Sequence, residues 1–204
     1  MKITIFGASG SVGRYLIDEA VSRGHEVVAV TRSPGKIQAQ HIVTEAVVDY
    51  TNIKTIEASL KGSDAAIISL GDFNVAQPTE NIIQAMKNTN VKRIELLTGF
   101  GTSPESRRML NPAMRTVVNG IRLATHAGFA SKEKQDKSVR NSGLSFTIVQ
   151  PPTLTFGDKT SNYRYGNYEG KSIMGNISRA DLADFMINNL DDSRYINESV
   201  YVQQ

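Results

Sequence analysis

The chain of 204 residues contains no cysteine, so disulfides, thiolate metal sites and a cysteine nucleophile are excluded. Histidine is scarce: His25, His41 and His126 show no ligand spacing, and no cluster of carboxylates accompanies them, so no metal site is expected. Of the three, only His126 falls where an acid would be useful, because His25 and His41 sit at strand starts. Apolar runs are short, none approaching the roughly 18 residues of a membrane-crossing helix. The first strand begins at residue 2 without a basic, apolar and small-residue leader, and a cytoplasmic protein is the expectation. A strong charge of one sign is also lacking. Lys and Arg number 23 against 20 Asp and Glu, and this dispersed net charge of +3 calls for neither nucleic acid nor an anionic membrane as partner. The densest basic stretch, Arg107 to Arg140, is interleaved with Glu105, Glu133 and Asp136 and reads as the solvated face of helices. What remains is an ordinary globular composition, 40% apolar and 21% charged, expected to form a single domain over 1–204.

The most informative stretch is the first. Lys2-Ile3-Thr4-Ile5-Phe6 reads as a strand and runs into Gly7-Ala8-Ser9-Gly10-Ser11-Val12-Gly13, after which Val12, Tyr15, Leu16 and Ala20 recur with helical spacing. The helix stops at Gly24, and a second strand, Glu26 to Thr31, follows. Glycines at the first two positions let the chain turn sharply and approach a pyrophosphate. The third removes a Cβ where helix and strand pack together. The unpaired amides and positive dipole end of the helix then face the phosphates. Gly7, Ser9, Gly10, Ser11, Val12 and Gly13 are therefore expected to hold a dinucleotide, a bare structural turn being the alternative.

Which dinucleotide is decided at the tip of the second strand. NAD enzymes usually present Asp or Glu there, roughly 20 residues past the glycines, for the ribose hydroxyls. Here Val30-Thr31-Arg32-Ser33-Pro34-Gly35-Lys36 offers no carboxylate, which would repel a 2′-phosphate. Arg32 offers instead a planar fork of donors, with Ser33 and Lys36 close by. NADP(H) is the expected cofactor, the alternative being that Arg32 is a solvated loop charge.

Further along, a third strand is predicted within His41 to Asp49, a helix over Ile53 to Leu60, and a strand over Ala65 to Leu70, whose continuous apolar run suits burial on both faces of a parallel sheet. A loop from Asp72 to Thr79 leads to a helix from Glu80 to Asn88 and a fifth strand, Arg93 to Thr98. This alternation predicts an α/β, doubly wound, mostly parallel sheet. Pro104 to Arg140 is helical, broken near Asn111-Pro112 and at His126-Ala127-Gly128. A sixth strand, Ser145 to Val149, exits through Gln150-Pro151-Pro152, where the prolines force extended chain. Thr153 to Gly175 reads as a loop with a small hairpin, and around 153–176 the chain is expected to cover a substrate. Its Phe156, Tyr163, Tyr165 and Tyr168 either stack on that substrate or pack the loop onto the body. Ser178 and Asp181 resemble a capping box before a helix, and Glu198 to Val202 is a final strand.

Ligands of such sheets lie across the carboxyl ends of the strands, which adds Asp49, Tyr50, Leu70, Gly71, Thr98 and Pro151 to the expected cofactor contacts. Asp49 either accepts from an adenine amino group or caps the next turn, and Tyr50 can stack on the ring.

Several motifs in one order carry a family resemblance over nearly the whole chain. They are Gly7 to Gly13, Asn81 to Lys87 with Val91-Lys92-Arg93, Ser142-Gly143-Leu144 with Thr147 to Pro152, and Ile177 to Ala183. Together the chain resembles the atypical short-chain dehydrogenase/reductase group, in particular the small members related to biliverdin-IXβ/flavin reductase and to NmrA-like NAD(P)-binding proteins. The resemblance implies a Rossmann fold and bound NADP(H). It also implies that Lys132 is the counterpart of the group's lysine, although Gly128 stands four residues before it where the wider superfamily has tyrosine. Gly99 stands where the related flavin reductases carry a serine hydroxyl. An alcohol–ketone proton relay through tyrosine is therefore unsupported.

The expected function is an NADPH-dependent reductase passing hydride to a flat conjugated acceptor, a flavin, a quinone or a tetrapyrrole. In it Lys132 balances charge and Thr98 orients the nicotinamide or acceptor. Lys132 as a solvated helix lysine is the plain alternative. The rival function is a non-catalytic NmrA-like redox sensor. The partner is expected to be a small molecule, the chain a monomer or homodimer.

Overall fold

The continuous apolar runs become the middle of one sheet. In this computed structural model, which describes residues 1–38, 41–71, 74–167, 169 and 172–204, strand β1 (Lys2–Phe6) lies between β2 (Glu26–Thr31) and β4 (Ala65–Ile68), parallel to both. β3 (Val43–Val47) forms one edge beside β2; β5 (Arg93–Leu97), β6 (Ser145–Gln150) and β10 (Glu198–Gln203) extend the sheet on the other side. A short strand β8 (Arg164–Gly166) closes that edge antiparallel to β10. The order β3-β2-β1-β4-β5-β6-β10-β8 is the doubly wound arrangement, with its switch in direction between β1 and β4.

Each face is covered by helices because residues alternate across the pleat. Ile3 and Ile5 of β1 join one core with Leu16 and Ala20 of α1 (Gly13–Ser22) and Leu182, Phe185 and Met186 of α7 (Arg179–Asp192). Phe6 joins the other with Ile56 and Leu60 of α2 (Ile53–Leu60), Ile82 and Met86 of α3 (Ala76–Asn88) and Val139 of α6 (His126–Arg140). Between β5 and α6 run α4 (Pro104–Arg108) and α5 (Pro112–Ala124). The break expected at Asn111-Pro112 is a cap: the Asn111 side chain accepts from the Met114 amide, and Pro112 takes the first helical position. Among the described residues no helix is long and apolar enough to cross a membrane.

The structure departs from the sequence reading in three elements. Helix α3 begins at Ala76, a turn before the expected Glu80. Pro78 costs nothing in a first turn, whose amides lack helical partners, and the Ser131 hydroxyl of α6 caps the end by accepting from the Val75 and Ala76 amides at 3.0 and 3.2 Å. Among the described residues of the stretch 153–176 there is no hairpin. β7 (Thr153–Thr155) pairs parallel with β9 (Asn176–Ser178), while β8 is recruited by β10. The capping box is half formed. Ser178 accepts from the Asp181 amide, but the Asp181 carboxylate accepts from Thr160, the Ser161 amide and Gln204 and so holds the 158–163 segment down.

One acid lies wholly within the sheet. Glu95 of β5 is 0% exposed and accepts from Arg93 at 2.9 Å and from the Asn189 amide group of α7 at 2.6 Å. Burial outweighs these partners and pushes its pKa up to about 7. A proton is then bound more tightly in the folded than in the unfolded state, so the group's stabilising contribution is complete below about 4.5 and is lost as pH rises to about 7. Urea unfolding of wild type and Glu95→Gln at several pH values is expected to show the variant gaining stability relative to wild type across that window; a constant difference would refute the assignment.

Candidate functional site

The turn after β1 is shaped by close contacts between main-chain segments. Gly7 has φ +86°, and a Cβ on it would lie 2.3 Å from the Ser69 carbonyl at the end of β4. A Cβ on Gly13 would lie 2.3 Å from the Gly7 carbonyl and 2.5 Å from that of Ala8. Side chains at either position would push the turn off the sheet or the helix off the turn. The Gly10 amide closes the turn onto the Gly7 carbonyl at 3.0 Å, and the Ala8 amide is held by Val30 at 3.2 Å. Among the described residues the amides of Ser9, Ser11 and Val12 meet no acceptor in the protein. They stand at the amino end of α1, where main-chain donors and the helix dipole favour an anion. Ser11 is exposed at that end; Val12 and Gly13 are buried beneath the turn.

A cleft of about 600 Å³ opens over this turn at the β1/β4 switch, and Gly7, Ser9, Gly10, Arg32, Tyr50, Leu70 and Gly71 all line it. Tyr50 sits with its ring 6.3 Å from that of Phe6 and its carbonyl bonded by Asn81. Six expected contacts are not in this lining: Ser11, Val12 and Gly13 at the amino end of α1, Thr98 in a neighbouring cavity, and Asp49 and Pro151. Asp49 is not in the lining, and its Oδ1 accepts from both the amide and the hydroxyl of Thr51 at 2.8 Å; these bonds, the amide first, hold its pKa below the usual carboxylate value. That is the turn-capping role. Pro151, directly after β6, is buried, its carbonyl accepting from the Phe100 amide.

Gly71 also belongs to a second cavity, of about 290 Å³, which brings Thr98, Phe100, Thr102, Phe129 and Lys132 together with Gly99 and Gly128. Lys132 is half-buried, and its ammonium donates to the Leu70 carbonyl at 2.7 Å. The Thr98 hydroxyl is buried without a hydrogen-bond partner among the described residues. Lys132 shares this lining with an apolar floor of two phenylalanines, Phe100 and Phe129. The Arg107 guanidinium lies 5.5 Å over the Phe129 ring and donates to the Gly101 and Thr102 carbonyls, which ties the floor to the chain after β5.

Tyr163 and Tyr165 of the 153–176 stretch take the second of their two expected roles, whereas Phe156 is exposed. Tyr163 and Tyr165 pack with Phe185 and Tyr195 against α7, and the Tyr163 hydroxyl donates to Asp184 at 2.7 Å. Phe156 lies under Arg179, 3.9 Å away. Tyr168 falls outside the described residues. The neighbouring Lys159 binds Glu19 of α1 and Asp184 of α7, so the segment is tied to those helices. His25 pairs with Asp191 at the amino end of the sheet, His41 and His126 are exposed, and among the described residues no group of acids and histidines is arranged for a metal.

Three contributors escaped the sequence reading. Phe100 and Phe129 resemble any core aromatics, and the Ser131 cap joins residues 55 and 56 positions apart. Gly13 offers the sharpest check on the turn: Gly13→Ala is expected to cost about 1 to 3 kcal/mol by overpacking, read by urea unfolding, and to weaken dinucleotide binding measured by calorimetry. Normal binding by that variant would mean the turn does not hold the dinucleotide.

Comparison with known proteins agrees with this geometry. The family profile described as NAD(P)H-binding matches residues 7–193. The chain is 26% identical over 216 residues to the uncharacterized protein YwnB of Bacillus subtilis, covering 97% of this chain and 96% of that one. It is 24% identical over 228 residues to phenylcoumaran benzylic ether reductase IRL1 of Ginkgo biloba, covering 99% of this chain and 69% of the relative. Among solved structures, the oxidoreductase ylbE of Lactococcus lactis superposes with a TM-score of 0.82 at 21% identity over 100% of this chain and 91% of its own. With its cleft at the switch of a Rossmann fold and its match to that profile, the chain belongs to the NAD(P)H-binding family, in the atypical short-chain dehydrogenase/reductase group.

Proposed function

We propose that the protein is an NADPH-dependent reductase that passes hydride to a flat conjugated acceptor such as a flavin, a quinone or a tetrapyrrole. The observation that carries this reading is the meeting of the two cavities at Gly71, which lets a dinucleotide and a planar acceptor lie end to end. The name of the Ginkgo relative, a reductase, supports the reaction class. Bound NADPH would supply the hydride.

The protein's own residues contribute position and charge. The amides of Ser9, Ser11 and Val12 take the pyrophosphate and Arg32 takes the 2′-phosphate. Phe100 and Phe129 offer flat apolar surface to the acceptor. The Lys132 ammonium, which lines the same cavity, stabilises negative charge arriving on the acceptor. The Thr98 hydroxyl, buried without a partner among the described residues, donates to a carbonyl or carboxamide brought against it. With Gly128 where a tyrosine would stand, the proton comes from solvent, which a delocalised acceptor tolerates. A second reading, a non-catalytic redox sensor, draws support from the same glycine and from α5, whose Val117, Ile121 and Leu123 remain exposed to a protein partner.

NADPH oxidation followed with FMN, menadione and biliverdin separates the two: turnover with one of them supports the reductase, and tight NADPH binding with turnover on none supports the sensor. Lys132→Ala is expected to lower kcat by tenfold or more, the equivalent of about 1.4 kcal/mol of charge stabilisation; unchanged turnover would remove Lys132 from the mechanism. Arg32→Ala is expected to weaken NADPH by about 1 to 3 kcal/mol and NADH far less, as measured by calorimetry; equal losses would falsify the NADPH assignment.

A further inference from the structure

The loop that carries Arg32 is built around an acid from the neighbouring strand. Glu45 of β3 stands in register with Ala29 of β2. Its Oε2 accepts from the Gly35 amide at 2.8 Å, and its Oε1 accepts from the Lys36 amide at 2.9 Å, the Ile37 amide at 3.2 Å and the Thr31 hydroxyl at 3.2 Å. Gly35, at φ +72°, supplies the left-handed residue that lets three successive amides converge. Such a concave set of N–H groups binds phosphates in other settings. Here the occupant is the chain's own carboxylate, whose pKa the Gly35 amide, above all, holds below the usual range.

This has two physical consequences for a phosphate arriving beside the loop. The amides of residues 35–37 are already engaged, so recognition falls to the side chains of Arg32, Ser33 and Lys36. The loop is also shaped before the ligand arrives, which lowers the ordering cost of binding. The negative charge of Glu45 is directed onto main-chain donors, which offsets its repulsion of the incoming phosphate.

We infer that Glu45 is a positioning residue for cofactor choice: by filling the main-chain cradle of residues 35–37 it fixes the loop that presents Arg32, Ser33 and Lys36 to the 2′-phosphate of NADPH. The inference rests on the proposed preference for NADPH over NADH. A merely structural Glu45 would support all nucleotides alike, because the pyrophosphate and nicotinamide ends of the cleft do not involve this loop.

Calorimetric titration with NADPH, NADH, 2′,5′-ADP and 5′-AMP tests it on wild type, Glu45→Ala, Glu45→Gln and Arg32→Ala. Glu45→Ala is expected to lose about tenfold in affinity for NADPH and 2′,5′-ADP, the scale of one charge-assisted hydrogen bond, with NADH and 5′-AMP unchanged. Glu45→Gln keeps an acceptor for the Lys36 and Ile37 amides but loses the charge and the Gly35 bond, and is expected to fall between. It also carries the comparison if the alanine variant does not fold. An unchanged ratio between phosphorylated and unphosphorylated ligands in the Glu45 variants overturns the inference. If Arg32→Ala collapses that ratio while the Glu45 variants keep it, the positioning role alone fails; if Arg32→Ala leaves the ratio intact, the preference for NADPH fails and this inference with it.

Discussion

The approach of main chain to main chain between the end of β1 and the end of β4 is the constraint on which the site depends. Gly7 lies so near the Ser69 carbonyl that no side chain fits, and Gly13 lies as near the carbonyls of Gly7 and Ala8. These contacts seat α1 directly over the sheet with its amino end at the switch point. Among the described residues they also leave the amides of Ser9, Ser11 and Val12 at that end without a protein acceptor. A sheet that reverses its order at β1/β4 opens a crevice there, and the turn places donors at its floor.

Around that fixed point the remaining parts are held by side chains reaching between elements. Helix α6 touches the β4–α3 connection through consecutive residues: Ser131 caps α3 and Lys132 bonds the Leu70 carbonyl. The lysine is thereby set beside the glycine shared by both cavities, and the same contacts start α3 earlier than its sequence suggests. On the opposite face, Glu19, Arg23, Lys159 and Asp184 join α1, α7 and the 158–163 segment in one ion network. That network explains why the tyrosines there belong to the body of the fold.

Much of the fold was legible in the chain. The second strand and the helix over Ile53 to Leu60 fall where periodicity and flanking glycines put them, and the family resemblance is matched by the NAD(P)H-binding profile. Among the described residues of 153–176, β8 pairs with β10 and β7 with β9 in place of the expected hairpin, because short strands choose partners by proximity and local alternation does not say which. Asp49 shows the same limit within the site. An acid after a strand suits a nucleotide or a turn equally, and only the fold shows that Oδ1 of Asp49 caps the turn through the Thr51 amide and hydroxyl.

What the sequence by itself determined were the features set by local geometry: where only glycine fits, where helices begin under a cap or a proline, and which runs are apolar enough for the interior of a parallel sheet. Tertiary structure alone decided which distant side chains meet, as Lys132 meets the Leu70 carbonyl and Glu45 the amides after β2. The physical reason is that backbone conformation and hydrophobic period are properties of neighbours along the chain. The partner of a charged side chain depends on strand order and register, which are settled only when the whole sheet assembles.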